Sequence, residues 1–332
     1  MLIQQFGHHE RKRSACIHLG GSHVQPVSAS TKVGIVDVSS VPPALRSGSP
    51  ALFKRTIALS LQRWRKEAGL AQKDAAKRLD RTPQHISNLE SGERLPSAAD
   101  LELLLGLYDK GDRISFMREL LSAAKRARNW WTALSGAVPK WFDLYLGLES
   151  GASELSSFDT VLVPGLLQTR EYAEAVFRGN PDLTDAEVQQ HVELRAGRQQ
   201  ILERDDDQVH MWTVLDESVL YRIRGGAIVM HAQLSHLLEM AERPRIDIQV
   251  LPYDAGATPA QQSGTFTVLT FPPAMESDPG LVYLELLTGG QYFEDATEIV
   301  QYRRSLTRLQ ALAADQKRST EMIKKAMKEV IR

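Results

Sequence analysis

Amide, imidazole and hydroxyl side chains are interspersed with two apolar residues over residues 84–89. On a helix, Ile86 and Leu89 are three positions apart and share one face, so the polar side chains lie on the opposite face. A Gln or Asn amide can bond both N6 and N7 of adenine, and Ser or His can reach a phosphate or a base. This pattern predicts a helix that reads bases in a major groove. Its outward residues are Pro83, Gln84, His85, Ser87 and Asn88.

The residues around this helix could start it and hold it on a DNA backbone. Thr82 is a good N-cap, and Pro83 suits the first helical position. Gln72 stands at the start of the preceding helix, where free backbone N–H groups favour a phosphate. Three cationic side chains flank the same surface. The expected DNA-binding residues are Gln72, Lys73, Arg81, Thr82, Pro83, Gln84, His85, Ser87, Asn88 and Arg94.

Hydrophobic periodicity predicts an all-α module that positions these side chains. Ile57, Leu61 and Trp64 share one face of its first helix. We expect five helices, covering 53–68, 72–79, 83 to the stop at Gly92, a fourth that begins after Ser97, and 112–128. The alternative is a helical bundle that only packs, whose Gln and Asn side chains are ordinary solvated residues.

Residues 70–92 read LAQKDAAKRLDRTPQHISNLESG. This segment resembles the helix-turn-helix of the lambda-repressor/Cro-like (XRE) family, and the resemblance covers residues 61–108. It implies a sequence-specific transcriptional regulator whose partner is a double-stranded DNA operator. Three residues depart from the family pattern. Ala71 stands at an N-cap that is usually Ser or Thr, Asp80 replaces a Gly in a left-handed turn, and Arg81 replaces an apolar residue.

Length and composition limit the number of domains and the class of protein. At roughly 150 residues per domain, 332 residues allow two domains. One cysteine excludes an internal disulfide and a Cys-rich zinc site. The longest uncharged stretch, residues 255–275, contains Pro, Gln and Gly and cannot form a membrane helix. With no secretory signal at the N-terminus, we expect a soluble cytoplasmic protein without cofactor or metal.

Charge divides the chain into a basic and an acidic part. Residues 54–128 carry 16 Lys and Arg against 10 Asp and Glu. Residues 129–332 carry 19 Lys and Arg against 29 Asp and Glu. The basic part favours nucleic acid as a partner, whereas the acidic part would repel phosphate.

We expect three regions: a poorly structured N-terminal extension over 1–50, a DNA-binding domain over 51–128, and a regulatory domain over 129–332. The histidines and the cysteine of residues 8–23 match no zinc spacing, which favours an unstructured arm there. The last region is predicted to be an α+β or α/β domain with a sheet covered by helices. Its expected strands are 158–163, 209–215, 246–251, 265–271 and 281–287, and its expected helices are 170–178, 186–203, 231–242, 296–313 and 319–331.

Residues 162–173, LVPGLLQTREYA, resemble a signature in the C-terminal domain of antitoxin-like XRE regulators of high-GC Gram-positive bacteria. The resemblance implies a partner-binding domain whose partner is a small protein encoded by an adjacent gene. The domain is also a candidate for forming a homodimer. Candidate partner or effector residues are Leu166, Gln168, Thr169, Tyr172, Arg195 and Arg198. They could instead be internal core, with the two arginines paired to Glu285 or Glu217.

The sequence leaves two other functional classes as alternatives. A one-component regulator would use the second domain to sense a small molecule. An enzyme is disfavoured, because the chain has no nucleophile elbow, no P-loop, no Gly-x-Gly-x-x-Gly and no His-Glu-x-x-His. Asp216 and Glu217 could form a carboxylate pair at a strand end, but a capping role is the simpler interpretation.

Overall fold

The computed structural model describes residues 48–204, 208–257, 259–275 and 278–331, and these belong to one compact unit. The expected extension over 1–50 lies outside the described residues except for its last three positions, and so do the histidines of residues 8–23. No helix in the described ranges is long and apolar enough to cross a membrane.

Helices alone build residues 50–126. Ser49 caps the first helix through a bond from the Leu52 N–H to its Oγ, at 3.1 Å. The apolar face of that helix is buried, as its periodicity predicts. The α-helices here are α1 (Pro50–Glu67), α2 (Gln72–Leu79), α3 (Pro83–Glu90), α4 (Ala98–Leu107) and α5 (Ile114–Arg126).

A mixed six-stranded sheet organises the residues that follow. The strand order is β3-β2-β1-β4-β5-β6. The first three strands pair in parallel, and the last three join antiparallel to them and to each other. The strands are β1 (Glu154–Asp159), β2 (His210–Asp216), β3 (Ile246–Leu251), β4 (Phe266–Thr270), β5 (Leu281–Leu286) and β6 (Gly289–Phe293).

Helices cover both faces of this sheet. Phe158, Val214 and Phe266 lie on one face, in a core cluster that includes Leu306 and Leu309. The opposite face belongs to the larger core, which continues into the helical module of residues 50–126. The predicted class, a helical module followed by a sheet covered by helices, is confirmed. The helices of this part are α6 (Lys140–Glu149), α7 (Arg170–Phe177), α8 (Asp185–Gln199), α9 (Ser218–Tyr221), α10 (Gly226–Ala241), α11 (Ala296–Leu312) and α12 (Gln316–Val330).

Several element boundaries differ from the sequence-based ones. The first strand lies at Glu154–Asp159 rather than 158–163, because its buried positions include Ser156 and Ser157 while the apolar Val161 is 49% exposed. Strand β6 was not predicted, since two glycines begin it. Helix α6 was not predicted either, and α10 begins five residues earlier than expected, at Gly226.

Helix α1 joins the helical module to the sheet. The Ser49 Oγ donates to the Gly147 carbonyl oxygen at 2.6 Å, in a buried contact with α6. A Cβ at Gly147 would lie 2.8 Å from the Ala51 Cβ, and one at Gly151 would overlap Leu52. The two glycines therefore let α1 approach α6 closely.

An arginine of α1 strengthens this junction. Arg55 donates from Nε and Nη2 to the two carboxylate oxygens of Asp278, at 2.8 and 2.9 Å. It also bonds the Gly280 carbonyl oxygen and pairs with Glu294. Burial would lower the pKa of Arg55, but the bonds and charges of Asp278 and Glu294 outweigh burial and raise it. Arg55 thus remains charged where α1 meets the sheet.

Candidate nucleic-acid interface and interior cavity

The polar face of α3 is concave and open to solvent. Residues on α3, in the turn before it and in the loop after it surround one shallow depression. The depression is lined by Asp80, Arg81, Thr82, Gln84, His85, Asn88 and Arg94. Except for Asp80, all of these are predicted DNA-binding residues, and the structure brings them together on one surface.

The capping residues set the direction in which α3 points. The Thr82 Oγ1 accepts from the His85 N–H at 3.3 Å, and Pro83 occupies the first turn. On the inner face, Ile86 and Leu89 are each 1% exposed. These two anchors leave Gln84 exposed, as the spacing predicts. The Gln84 Nε2 donates to the Asn88 Oδ1 at 2.8 Å, so the two amides already face each other.

A buried ion pair locks the three helices of the module together. Arg65 donates to both carboxylate oxygens of Glu90, at 2.6 and 2.9 Å, and to the Leu70 carbonyl oxygen at 2.6 Å. The Gln72 Nε2 donates to the same carboxylate at 3.0 Å. Glu90 therefore fixes α1 and the start of α2 against α3. Sequence reasoning missed this pair, although a charged residue directly after the buried Leu89, and one helical turn after the buried Ile86, is a signal for it.

The start and end of α2 show how the chain tolerates its departures from the family pattern. Ala71 offers no side-chain cap, but the Asp74 carboxylate accepts from the Ala71 N–H at 2.8 Å. Asp80 has φ 53° and ψ 50°, in the left-handed conformation that the family fills with Gly. Gln72 is only half-buried and Lys73 is exposed, and both lie at the first turn of α2, whose N–H groups have no intrahelical partner. Four predicted DNA-binding residues lie outside the depression, namely Gln72, Lys73, Pro83 and Ser87.

The signature string of the second domain forms a tightly bonded turn. A 3₁₀ turn spans Gly165–Leu167. The Gln168 Nε2 donates to the Val163 carbonyl oxygen at 2.7 Å. Gln233 accepts from the Thr169 N–H and donates to the Leu167 carbonyl oxygen, both at 2.7 Å. Leu166, Gln168 and Tyr172 are at most 5% exposed, so these candidates meet internal atoms in this structure.

The two candidate arginines of α8 have different surroundings. Arg198 donates from Nε and Nη2 to Glu149 at 2.8 Å each, and not to Glu285 or Glu217 as expected. Burial would lower the pKa of Arg198, but Glu149 outweighs burial and raises it. Arg195 lies over the Phe177 ring, 5.1 Å from its centroid. Burial, reinforced by the charge of Arg198, lowers the pKa of Arg195 to about 10.

Arg195 borders a cavity of about 110 Å³ between α8, α6 and the sheet. Alternate residues of β1, namely Leu155, Ser157 and Asp159, form part of its floor. The Asp159 Oδ2 accepts from the Ser157 Oγ at 2.6 Å and from the Thr213 Oγ1 at 2.8 Å. Burial nevertheless raises the pKa of Asp159 to about 6, against the effect of those two hydroxyls. The floor therefore contains a carboxyl group that titrates near neutrality.

Sequence reasoning did not find this cavity, although a period-2 signal was present. Ser157 and Asp159 alternate within β1, and Thr265 and Thr267 do so at β4. Small polar residues on one face of buried strands indicate an internal polar space. Asp216 and Glu217 each accept a backbone N–H, Asp216 from Ser218 at 3.0 Å and Glu217 from Tyr253 at 2.8 Å, so the two carboxylates serve local loop contacts. No cluster of metal-ligating side chains occurs within the ranges the structure describes.

Fold and surface together define a helix-turn-helix protein with an appended sheet domain. A family model described as "Helix-turn-helix domain" matches residues 57–112. A second one, described as "Domain of unknown function (DUF5753)", matches residues 142–325, more than half of the chain, and the chain belongs to that family. The helix-turn-helix match supports DNA binding and transcription regulation. The antitoxin-like role remains a prediction.

A curated relative resembles part of this chain. Multiprotein-bridging factor 1 of Schizosaccharomyces pombe is 32% identical over 68 residues, which make up 20% of this chain. The chain spans 46% of that relative's length. No solved structure matches this chain.

Proposed function

We propose that this protein is a sequence-specific, DNA-binding transcriptional regulator of the cytoplasm that reads a double-stranded operator with α3. The single observation that carries the proposal is the depression lined by Arg81, Thr82, Gln84, His85, Asn88 and Arg94. Exposed amides on a helix whose opposite face is pinned in a core are the chemistry of base readout.

The side chains divide into two roles under this proposal. Gln84 and Asn88 exchange their mutual bond, 2.8 Å long, for bonds to base edges. Lys73, Arg94 and the first turn of α2 contact phosphates and fix the register of the protein. Gln72 is positioned for that contact by its bond to Glu90.

Selection of binding sites from a random DNA pool tests the proposal. The full chain should enrich one sequence with a measurable half-site spacing, and binding should weaken as salt rises. Lys73→Ala should weaken enriched and random DNA alike and flatten the salt dependence. Lys324→Ala is the matched control, since Lys324 is exposed on α12, outside the helix-turn-helix. Failure to enrich any sequence would contradict sequence-specific binding.

We assign the sheet domain a regulatory role. Residues 129–332 carry 29 acidic against 19 basic side chains, a balance that disfavours phosphate and suits a protein partner. The antitoxin-like resemblance supports a small protein encoded by an adjacent gene as that partner. Co-expression of the full chain with the neighbouring small gene product, followed by light scattering, tests this role and reports whether the chain is a homodimer. Separate elution of the two proteins would overturn it.

A second candidate function is that of a one-component regulator whose sheet domain senses a small molecule. The cavity beside Arg195 favours it, because a half-buried guanidinium with no carboxylate at ion-pair distance suits a ligand better than it suits packing. Neither candidate is an enzyme, and neither requires a cofactor.

A further inference from the structure

The cavity of the sheet domain has a cation on its wall, Arg195, on which Glu285 and Glu149 act only as more distant charges. No acidic group of the described residues lies within ion-pair distance of Arg195, although Arg198 on the same helix holds Glu149 at 2.8 Å. A desolvated charge without a counter-ion is unfavourable in a protein interior. Two arginines three residues apart therefore differ in function: one completes a structural ion pair, and the other leaves its N–H groups free.

The turn beside Arg195 is shaped to admit its guanidinium. A Cβ at Gly165 would overlap the Arg195 side chain. Gly165 does not have a positive φ, so backbone conformation is not the reason for a glycine here. The absent side chain instead gives the guanidinium its place next to the cavity.

The remaining lining has both polar and apolar character. The Tyr283 hydroxyl is buried and has no hydrogen-bond partner among the described residues. Tyr283 borders the cavity, but its hydroxyl is closed off from water, so the polar lining comes from residues such as Ser157, Asp159 and Thr267. Leu155 and Met211 supply apolar surface. The volume of about 110 Å³ is several times what one water molecule requires.

We propose that this cavity binds a small organic carboxylic acid, with its carboxylate on Arg195 and its apolar body against Leu155 and Met211. Arg195 offers the positive charge for this ligand, because Arg198 is committed to Glu149. Asp159 and Glu285 also border the cavity, so the ligand carboxylate is placed at Arg195 and away from them. One guanidinium matches a monoanionic carboxylate in charge and in its planar geometry. A phosphate dianion would require a second cation.

The site lies one helix away from the DNA-binding module. Tyr145 and Glu149 of α6 border the cavity, whereas Gly147 of the same helix contacts α1. A ligand that shifts α6 therefore acts on the packing of α1, which carries Arg65 and so the Glu90 contact. This regulatory step rests on the proposed function, but the binding step does not.

Thermal unfolding of the full chain tests binding. The probes are butyrate, benzoate, the neutral isostere butyramide and inorganic phosphate, each up to about 50 mM at constant ionic strength. We expect at least one carboxylate to raise the unfolding midpoint by a few degrees, with no shift from butyramide. No shift with either carboxylate, an equal shift with butyramide, or a shift with phosphate alone would overturn the proposal.

Substitutions at the cavity show where the carboxylate binds. Arg195→Met should keep or raise the midpoint of the unliganded protein, because it removes a half-buried charge that has no carboxylate at ion-pair distance, and should abolish the carboxylate shift. Gly165→Ala keeps the Arg195 charge but displaces it. The apparent affinity for the carboxylate, taken from the midpoint shift, should fall at least tenfold. Arg170→Met is the control, since Arg170 is exposed and pairs with Glu193 at the surface. A carboxylate shift that survives both Arg195→Met and Gly165→Ala would overturn the assignment of the site.

DNA binding is measured separately on the same samples. A carboxylate that raises the midpoint and also changes operator affinity supports both the site and its regulatory role. A carboxylate that raises the midpoint without changing operator affinity supports the site and overturns the regulatory step. Loss of operator selection with an intact carboxylate shift would overturn the proposed function while leaving the site intact.

Discussion

Helix α3 and the cavity of the sheet domain both gather polar side chains, but they do so with different periods and different burial. On α3 the polar residues are those that the helical spacing of Ile86 and Leu89 turns towards solvent. In the cavity, Ser157 and Asp159 alternate along a strand whose residues are buried on both faces. The first surface is rich in hydrogen-bonding groups that face bulk water, whereas the groups of the second face an enclosed space.

This difference separates the two kinds of recognition. An exposed amide such as Gln84 can change partners at little cost, which suits the reading of a nucleic acid. A half-buried guanidinium such as Arg195 is partly desolvated, so a matching anion gains more from its charge there than at the surface. The comparison can be tested by removing charges from each region and from the junction between them.

Substitution of the central carboxylate of the DNA-binding module should have the largest effect. Glu90→Gln leaves Arg65 buried without its counter-ion, and we expect a loss of about 3–5 kcal/mol in the free energy of unfolding. Denaturant titration of the full chain measures it.

Glu93→Gln provides the control for this substitution, because Glu93 is exposed and close in the chain. It should change stability by less than about 0.5 kcal/mol. Similar values for the two variants would mean that Glu90 does not hold the three helices together.

A substitution at the junction between α1 and the sheet domain should have the next largest effect on stability. Arg55→Met leaves Asp278, whose side chain is 2% exposed, without its partner, and we expect a loss of on the order of 3 kcal/mol. Unfolding followed by far-ultraviolet circular dichroism and by tryptophan fluorescence should then give two transitions instead of one, because the helical module and the sheet lose their shared ion pair.

Lys54→Gln is the matched variant one residue away, on the exposed side of α1. It should retain a single transition with the midpoint of the unsubstituted chain. A single, unshifted transition in Arg55→Met would show that the packing of α1 on Gly147 and Gly151 alone joins the regions.

The buried carboxyl group of the cavity should make stability depend on pH. The folded protein holds the Asp159 proton up to a pKa of about 6, whereas the unfolded chain releases it near 3.8. Stability should therefore fall as the pH rises from about 4 to about 6 and not return above that range. Asp159→Asn removes this loss and should stabilise the protein at pH 8 by on the order of 2 kcal/mol.

Stability measured against pH for the Asp159→Asn variant and the unsubstituted chain shows whether the pKa of Asp159 is raised. The stability of Asp159→Asn relative to the unsubstituted chain should shrink below about pH 4, where both side chains are neutral. An Asn keeps an oxygen that can accept from Ser157 and Thr213. Parallel profiles over the whole range would show that Asp159 ionises normally.

The sequence predicts the helical module better than the sheet. Its apolar residues repeat with the period of a helix, and Thr82 and Gly92 mark the ends of α3, so the direction of Gln84 follows from local rules. The left-handed conformation of Asp80 was expected from the family pattern and is present. The Arg65–Glu90 pair was not, because it joins residues 25 positions apart.

The cavity depends on contacts that no local pattern contains. Arg195 and Arg198 are equivalent in sequence, and only the position of Glu149 on α6 decides which of them is paired. The first strand was misplaced because apolar residues such as Val161 were expected to be buried, whereas the fold buries Ser157 in order to line a polar space. The cavity thus depends on how distant segments pack together, whereas the polar face of α3 follows from helical periodicity.

Base reading by α3 is tested most directly by the base preference of single variants. Gln84→Ala or Asn88→Ala should cost roughly 1–3 kcal/mol on the selected operator. Each variant should also relax the preference at one or two base pairs and leave binding to random DNA nearly unchanged. The measurement is binding-site selection with the variant and the unsubstituted chain in parallel. If Gln84→Ala and Asn88→Ala weakened operator and random DNA equally, with every base preference retained, the account of α3 would be wrong.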